Sequence, residues 1–422
     1  MRIPPGPADQ YTTAEDLLGW MQHNFERYGD IYRCRIYGSE VFVISSPEHA
    51  EHVLIWNWEN YLRKGQAVKR LGLTLGNGLI SSNGSFWASQ RRMIQPAFNR
   101  SAIGPLSEIV RSANVALLEK WRTAAASKAS VNITRDISLM VLEVTLRAIF
   151  GTDYDRVAPE FQIIAEDSRN LQFAKICNTL RSSIVQIAIQ RRKDEFVAKD
   201  ILGMMMQARD RENHRPMPDA QLAREAMTLV IAGHETTASV LNWTWYLLST
   251  HAGVEQRLSS ELNALASEAI AVEALADFVY TRQVIEEALR SYPPLWLMTR
   301  KAVRDDQIGE YFVPAGTEIY ISPYLIQRHP DLWEAPDLFD PERFSADQSQ
   351  ARQRLAMCPF GAGPRNCIGE FLARIEMQIH LMIIAKELRL RRDETGSPQL
   401  AAGVNLLSKD AFIMTPELRS QS

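Results

Sequence analysis

Hydrophobic positions recur at helical spacing over most of the chain, and five stretches carry the pattern clearly: 103–121, 137–150, 221–250, 278–291 and 367–388. Strand-like patterning is confined to two places. Residues 30–45 hold IYRCRIY and VFVIS separated by GSE, which predicts a hairpin. Residues 311–322, YFVPAGTEIYIS, set a turn at Pro314-Ala315-Gly316 between two β-rich arms. Before all of these, a stiff Pro-rich lead-in precedes an amphipathic helix at 14–27. The pattern therefore predicts many helices and a small peripheral sheet. The stretch 221–250 is apolar on nearly every side, as in a helix central to a large fold. At 1.5 Å per residue it would run about 45 Å. Its middle breaks the pattern with Ala232-Gly233-His234-Glu235-Thr236-Thr237.

Composition adds limits. The chain has 422 residues, 46% hydrophobic and 23% charged, a globular profile with enough core to enclose a bulky cofactor. No internal repeat or Gly/Ser linker interrupts it, so one integrated domain over 1–422 is expected. A net charge of −3 argues against wholesale binding to nucleic acid or an anionic membrane. Four cysteines, Cys34, Cys177, Cys358 and Cys367, are too scattered for a disulfide framework or a zinc site. No apolar run at the start resembles a signal peptide or membrane anchor, and a cytoplasmic monomer is the expectation.

Candidate chemistry concentrates around Cys367. The segment 360–369, FGAGPRNCIG, sets this cysteine after a Gly/Pro-rich loop and at the start of a predicted helix. Glycines allow close approach to a flat ligand, and free N–H groups at a helix start favour a thiolate. Arg365 adds a cation suited to a nearby carboxylate. Cys358 lacks this glycine frame and reads as packing. Glu287 and Arg290 share a helical face at i,i+3 spacing, and PERF follows at 341–344. In the central stretch, Ala232 and Thr236 share a face, with Glu235 beside them as a possible proton donor.

On these motifs the chain resembles the cytochrome P450 superfamily, over essentially its whole length and in the family's order. The resemblance implies a mainly α fold with a small β region. In that fold haem b, iron protoporphyrin IX, lies between the long central helix and the loop of its axial ligand, Cys367, with Phe360, Arg365 and Gly369 framing that loop. It further implies that Glu287, Arg290 and Arg343 form a buried structural ion network. Trp87, Arg91 and Arg300 are implied to bind haem propionates, and Ala232 to lie against the macrocycle. Glu235 and Thr236 are implied as the acid–alcohol pair that relays protons, with His234 and Thr237 in support.

The implied activity is dioxygen-dependent hydroxylation or epoxidation of a hydrophobic small molecule, such as a terpenoid, fatty acyl or polyketide compound, as in secondary metabolism. No flavin or nicotinamide fingerprint is present, so a separate ferredoxin and ferredoxin reductase are the expected electron donors. Arg352 and Arg354 are candidates for docking such an acidic partner. Pocket candidates are 71–82, Ala232, 295–298 and 405–412, with Trp296, Leu297, Met298 and Leu406 as an apolar lining. The same fold also serves peroxide-using or oxygen-independent enzymes and non-catalytic haem sensors, and the intact Glu235-Thr236 pair weighs against both. One departure stands out. Only about eighty residues separate the helix ending near Gly151 from the polar motif, fewer than the family generally uses, so 159–192 is expected to hold abbreviated roof helices.

Overall fold

The computed structural model describes residues 2–13, 16–65, 68, 72, 75–166, 172–195, 199–264, 272–392 and 396–419, without the side chains of 162–166, 172–178 and 273. By its contacts the chain divides into two compact units.

The first unit comprises Met1–Lys69, Gln283–Cys367 and Ser397–Asp410. Its frame is a six-stranded sheet in the order Gln10–Tyr11, Ile31–Ile36, Ser39–Ile44, Glu318–Ile321, Met298–Ala302, Tyr61–Leu62. The hairpin expected at 30–45 is present. Its two-residue turn lies at Tyr37-Gly38, both at positive φ, the geometry that matches strand twist. The two arms of 311–322 separate: Tyr311–Val313 pairs with Asp306–Ile308, whereas Glu318–Ile321 joins the six-stranded sheet. Helix Leu17–Tyr28 starts at an Asp16 cap, so of the stretch expected from 14 onward its first two residues lie outside the described residues.

The second unit comprises Arg70–Arg282, Ile368–Gly396 and Ala411–Ser422, and is mainly helical. Its centre is helix Asp219–Thr250, against which helices Ile133–Phe150 and Gln172–Lys193 pack. The stretch expected at 103–121 is a short helix, Arg100–Ile103, and then Ser107–Ala126, broken where Pro105 withholds its N–H. Helix Glu370–Glu387 crosses beside Ser107–Ala126. There the Trp245 indole N–H donates to His380 Nε2 (2.8 Å), and His380 Nδ1 meets Asn114 Oδ1 (2.6 Å). This network is fully buried, and burial pushes His380 down to about 3, so it stays neutral. Helices Tyr154–Glu166 and Gln172–Lys193 fill the segment expected to be abbreviated. At 13 and 22 residues, both roof helices are present. No helix of the described residues is long and apolar enough to cross a membrane.

Candidate active site

In the first unit, the cysteine loop is built by two left-handed glycines, Gly361 (φ 71) and Gly363 (φ 70). A Cβ on Gly363 would lie 2.0 Å from the Leu54 carbonyl oxygen, so only glycine fits there. The loop closes on itself through Cys367 N–H to the Phe360 carbonyl (2.9 Å) and Gly361 N–H to the Cys358 carbonyl (3.0 Å). Cys367 is exposed, whereas Cys34 and Cys358 are buried with thiols pushed up to about 12. Burial thus leaves those two as inert thiols. The helix after Cys367 begins only at Glu370, capped by Gly369, three residues later than the sequence pattern predicts.

Beside the loop is a cluster of cations. Arg300, on strand Met298–Ala302, is 5% exposed and donates to the Thr299 carbonyl. Burial, with Arg63 and Arg365 beside it, holds its guanidinium well below the ordinary range. Burial and Arg63 also push Arg365 down to about 9. A guanidinium gives up its proton reluctantly, so such a cluster is relieved by taking an anion. Arg63 carries no motif. It reaches the cluster because Tyr61–Leu62 pairs antiparallel with Met298–Ala302, and that pairing is its only signal in the chain.

A second buried cluster in the same unit is ionic but compensated. Arg290 donates to Glu287 at 2.6 and 2.8 Å, and to the Gln327 and Leu338 carbonyls. Arg343 lies 3.5 Å from Glu287, which also accepts the Asp340 N–H. The expected trio is therefore assembled, with Glu287 and Arg290 fully buried. The docking candidates are engaged elsewhere. Arg352 stacks over Trp333 and Phe344 and donates to the Arg343 carbonyl, and Arg354 pairs with Glu51 at 2.7 Å. Trp296 and Leu406 are core rather than pocket lining: both are at most 2% exposed, and the Trp296 N–H is used by the Gly403 carbonyl.

In the second unit, helix Asp219–Thr250 is buried over 225–230 and 237–248 but opens between them, with Ala232 exposed and its neighbours at 231 and 233–236 half-buried. The polar motif thus occupies a window in an otherwise enclosed helix. His234 is tethered to Ser138 (2.8 Å to Oγ, 3.0 Å to its carbonyl), and burial pushes it down to about 4. The Thr236 hydroxyl donates to the Ala232 carbonyl (2.7 Å), a back-bond within the helix. Trp87 and Arg91 lie one turn apart on helix Gly84–Ile94, where Arg91 donates to Gln95. The pocket candidate 71–82 is described only in part, since 71, 73 and 74 lie outside the described residues.

A soft thiol in a glycine-framed loop and crowded guanidiniums beside it suit an anionic ligand bearing a metal. The Cytochrome P450 family model matches residues 6–175 and 167–414. Cyclooctatin synthase of Streptomyces melanosporofaciens is 30% identical over 394 residues, 86% of this chain and 83% of the relative. Cyclooctat-9-en-7-ol 5-monooxygenase of the same organism is 29% identical over 387 residues, again 86% and 83%. The structure of retinoic acid-bound cyanobacterial CYP120A1 superposes with a TM-score of 0.88 at 23% identity, covering 99% of this chain and 100% of that one.

Proposed function

The chain belongs to the cytochrome P450 family, and we propose that it hydroxylates or epoxidises an alicyclic hydrophobic molecule of the terpenoid class, with electrons delivered by a separate ferredoxin and its reductase. That it is a haem-thiolate monooxygenase follows from the family. A relative that by name acts on cyclooctat-9-en-7-ol, an alicyclic alkenol, favours the substrate class.

The observation that carries the reading is the window at 231–236 in a helix enclosed on either side. The bound haem supplies dioxygen activation at a thiolate-ligated iron. Everything else falls to the chain. In this reading Cys367, framed by Phe360, Arg365 and Gly369, would ligate the haem iron, and Arg300, Trp87 and Arg91 would bind the propionates. Ala232 keeps the helix close to the macrocycle. Thr236 would relay a proton at its hydroxyl oxygen, turning its own hydrogen from the Ala232 carbonyl toward the chamber and releasing it there as it takes one from Glu235 in the same window. His234, neutral and tied to Ser138, fixes the helix at this point. The loop 75–82 walls the substrate chamber.

The test is reconstitution with a ferredoxin and its reductase on a panel of cyclic terpenes. Substrate-dependent product is expected, and the reduced carbon monoxide complex should show the red-shifted Soret band of a thiolate-ligated haem, lost in Cys367→Ala. Turnover supported by peroxide but not by any electron-transfer chain would overturn the electron-delivery reading.

A further inference from the structure

Glu225 is a fully buried carboxylate on the central helix for which the family chemistry has no use. Among the described residues it accepts two bonds, both from N–H groups: the Leu79 amide to Oε2 (2.9 Å) and the Gln221 side-chain amide to Oε1 (2.8 Å). The same Gln221 nitrogen donates to the Asn77 carbonyl (2.9 Å), while Gln221 Oε1 accepts from Arg224 (3.3 Å). Gly78 seats against this group so tightly that a Cβ would lie 2.8 Å from Thr228 Oγ1 and 3.2 Å from Glu225 Oε2. Ser81 and Ser82 turn the loop back onto the Gly76 and Gly78 carbonyls. Among the described residues no cation pairs with the carboxylate. Burial pushes it up to about 7 against the pull of its two donors.

The placement gives this clamp a purpose. At 100° per residue, Ala232 and Thr236 each lie within about 20° of Glu225 around the helix, and Glu225 precedes Ala232 by about 10 Å. The loop 76–82 is therefore fastened to the same stripe that carries the window residues. We propose that Glu225 is a positioning residue which, with Gln221, fixes the register of loop 76–82 along this stripe and so sets the size of substrate the chamber accepts. The inference rests on the reading of that loop as a wall of the chamber.

The network admits no neutral substitute. In Glu225→Gln one acceptor becomes a donor facing the Leu79 or Gln221 N–H. Flipping Gln221 to meet it would forfeit the bond to Asn77 and turn an N–H toward Arg224. Gly78→Ala presses on the same clamp from the loop side.

The experiment titrates the ferric holoenzyme with imidazole and with 1-dodecylimidazole, both of which ligate the iron but only one of which fills a long apolar chamber. Wild-type preference for the dodecyl compound tests the chamber reading itself. The clamp is tested by the change in that preference. Glu225→Gln should alter the dodecylimidazole Kd by about fivefold, the worth of one buried hydrogen bond, and leave imidazole within about twofold. Gly78→Ala should shift the same ligand selectively, and the double variant should add nothing beyond the larger single effect. If Glu225→Gln does not retain haem, Gly78→Ala carries the test alone. Equal shifts for both ligands, or no shift in Gly78→Ala, would overturn the proposal.

Discussion

The first unit buries two groups of arginines, and they are built on opposite principles. Arg290 and Arg343 surround Glu287, and Arg290 has further carbonyl acceptors, so its charge is compensated where it stands. Arg300 and Arg365 instead share their surroundings with Arg63, each raising the cost of charge on the others. Evolution tolerates buried like charges where a ligand of opposite charge repays them. The contrast separates a cation matched by acceptors from one crowded by like charge, using only the identity of its neighbours.

The largest effect should come from breaking the compensated group. Glu287→Ala leaves a buried guanidinium unpaired and should destabilise the protein by about 3–5 kcal/mol, read as a lower urea midpoint and poor haem incorporation. A variant as stable as wild type would erase the distinction. Arg300→Leu should act with the opposite sign on the apo-protein, whose urea midpoint stays level or rises because a crowded charge is gone. Haem affinity should nevertheless fall about ten- to a hundredfold, the range for losing a charge-assisted hydrogen bond. Apo-protein weakened as much as by Glu287→Ala would show Arg300 to be structural.

A neutral network sharpens the contrast further. His380 titrates near 3 when folded and at its ordinary 6.5 when unfolded, so between these values the unfolded chain binds a proton that the folded one does not. Its contribution is whole above pH 6.5 and is lost as pH falls. Stability should drop by about 1–2 kcal/mol from pH 6.5 to 5 on this account, and His380→Asn should flatten that slope. An unchanged slope would mean that the histidine is not the proton-linked group. Smallest of all, Arg354→Ala removes an exposed pair with Glu51 and should change stability by no more than about 0.5 kcal/mol. Its rate of reduction by ferredoxin should stay within about twofold, and a larger loss would restore Arg354 as a docking residue.

Much of this was legible in the sequence where spacing is local. The glycine frame of Cys367, the i,i+3 pair Glu287/Arg290 and the polar break at 232–237 each lie within a few residues, and each falls where its pattern implies. The trio with Arg343 depended on family order rather than on spacing. Residues joined by long-range pairing were not legible. Arg63 reaches Arg300 through a two-residue strand whose partner has no local mark, and Glu225 looks like any acid on a helix until loop 76–82 closes over it. Apolar composition at 295–298 and 405–412 suggested pocket lining, but hydrophobicity alone does not distinguish a chamber wall from core, and Trp296 and Leu406 are core.

The strand pairing that brings Arg63 to Arg300 also imposes an order in time. Its two partners are separated by more than two hundred residues, nearly all of them belonging to the second unit. During synthesis the whole stretch 70–282 is made before the strand that Arg63 awaits. Closing so long a loop is slow and costs chain entropy that only the finished sheet repays. The cations around Arg300, and the cysteine loop that follows them, are thus among the last parts of the protein to take form, and their arrival is tied to the growth of a sheet.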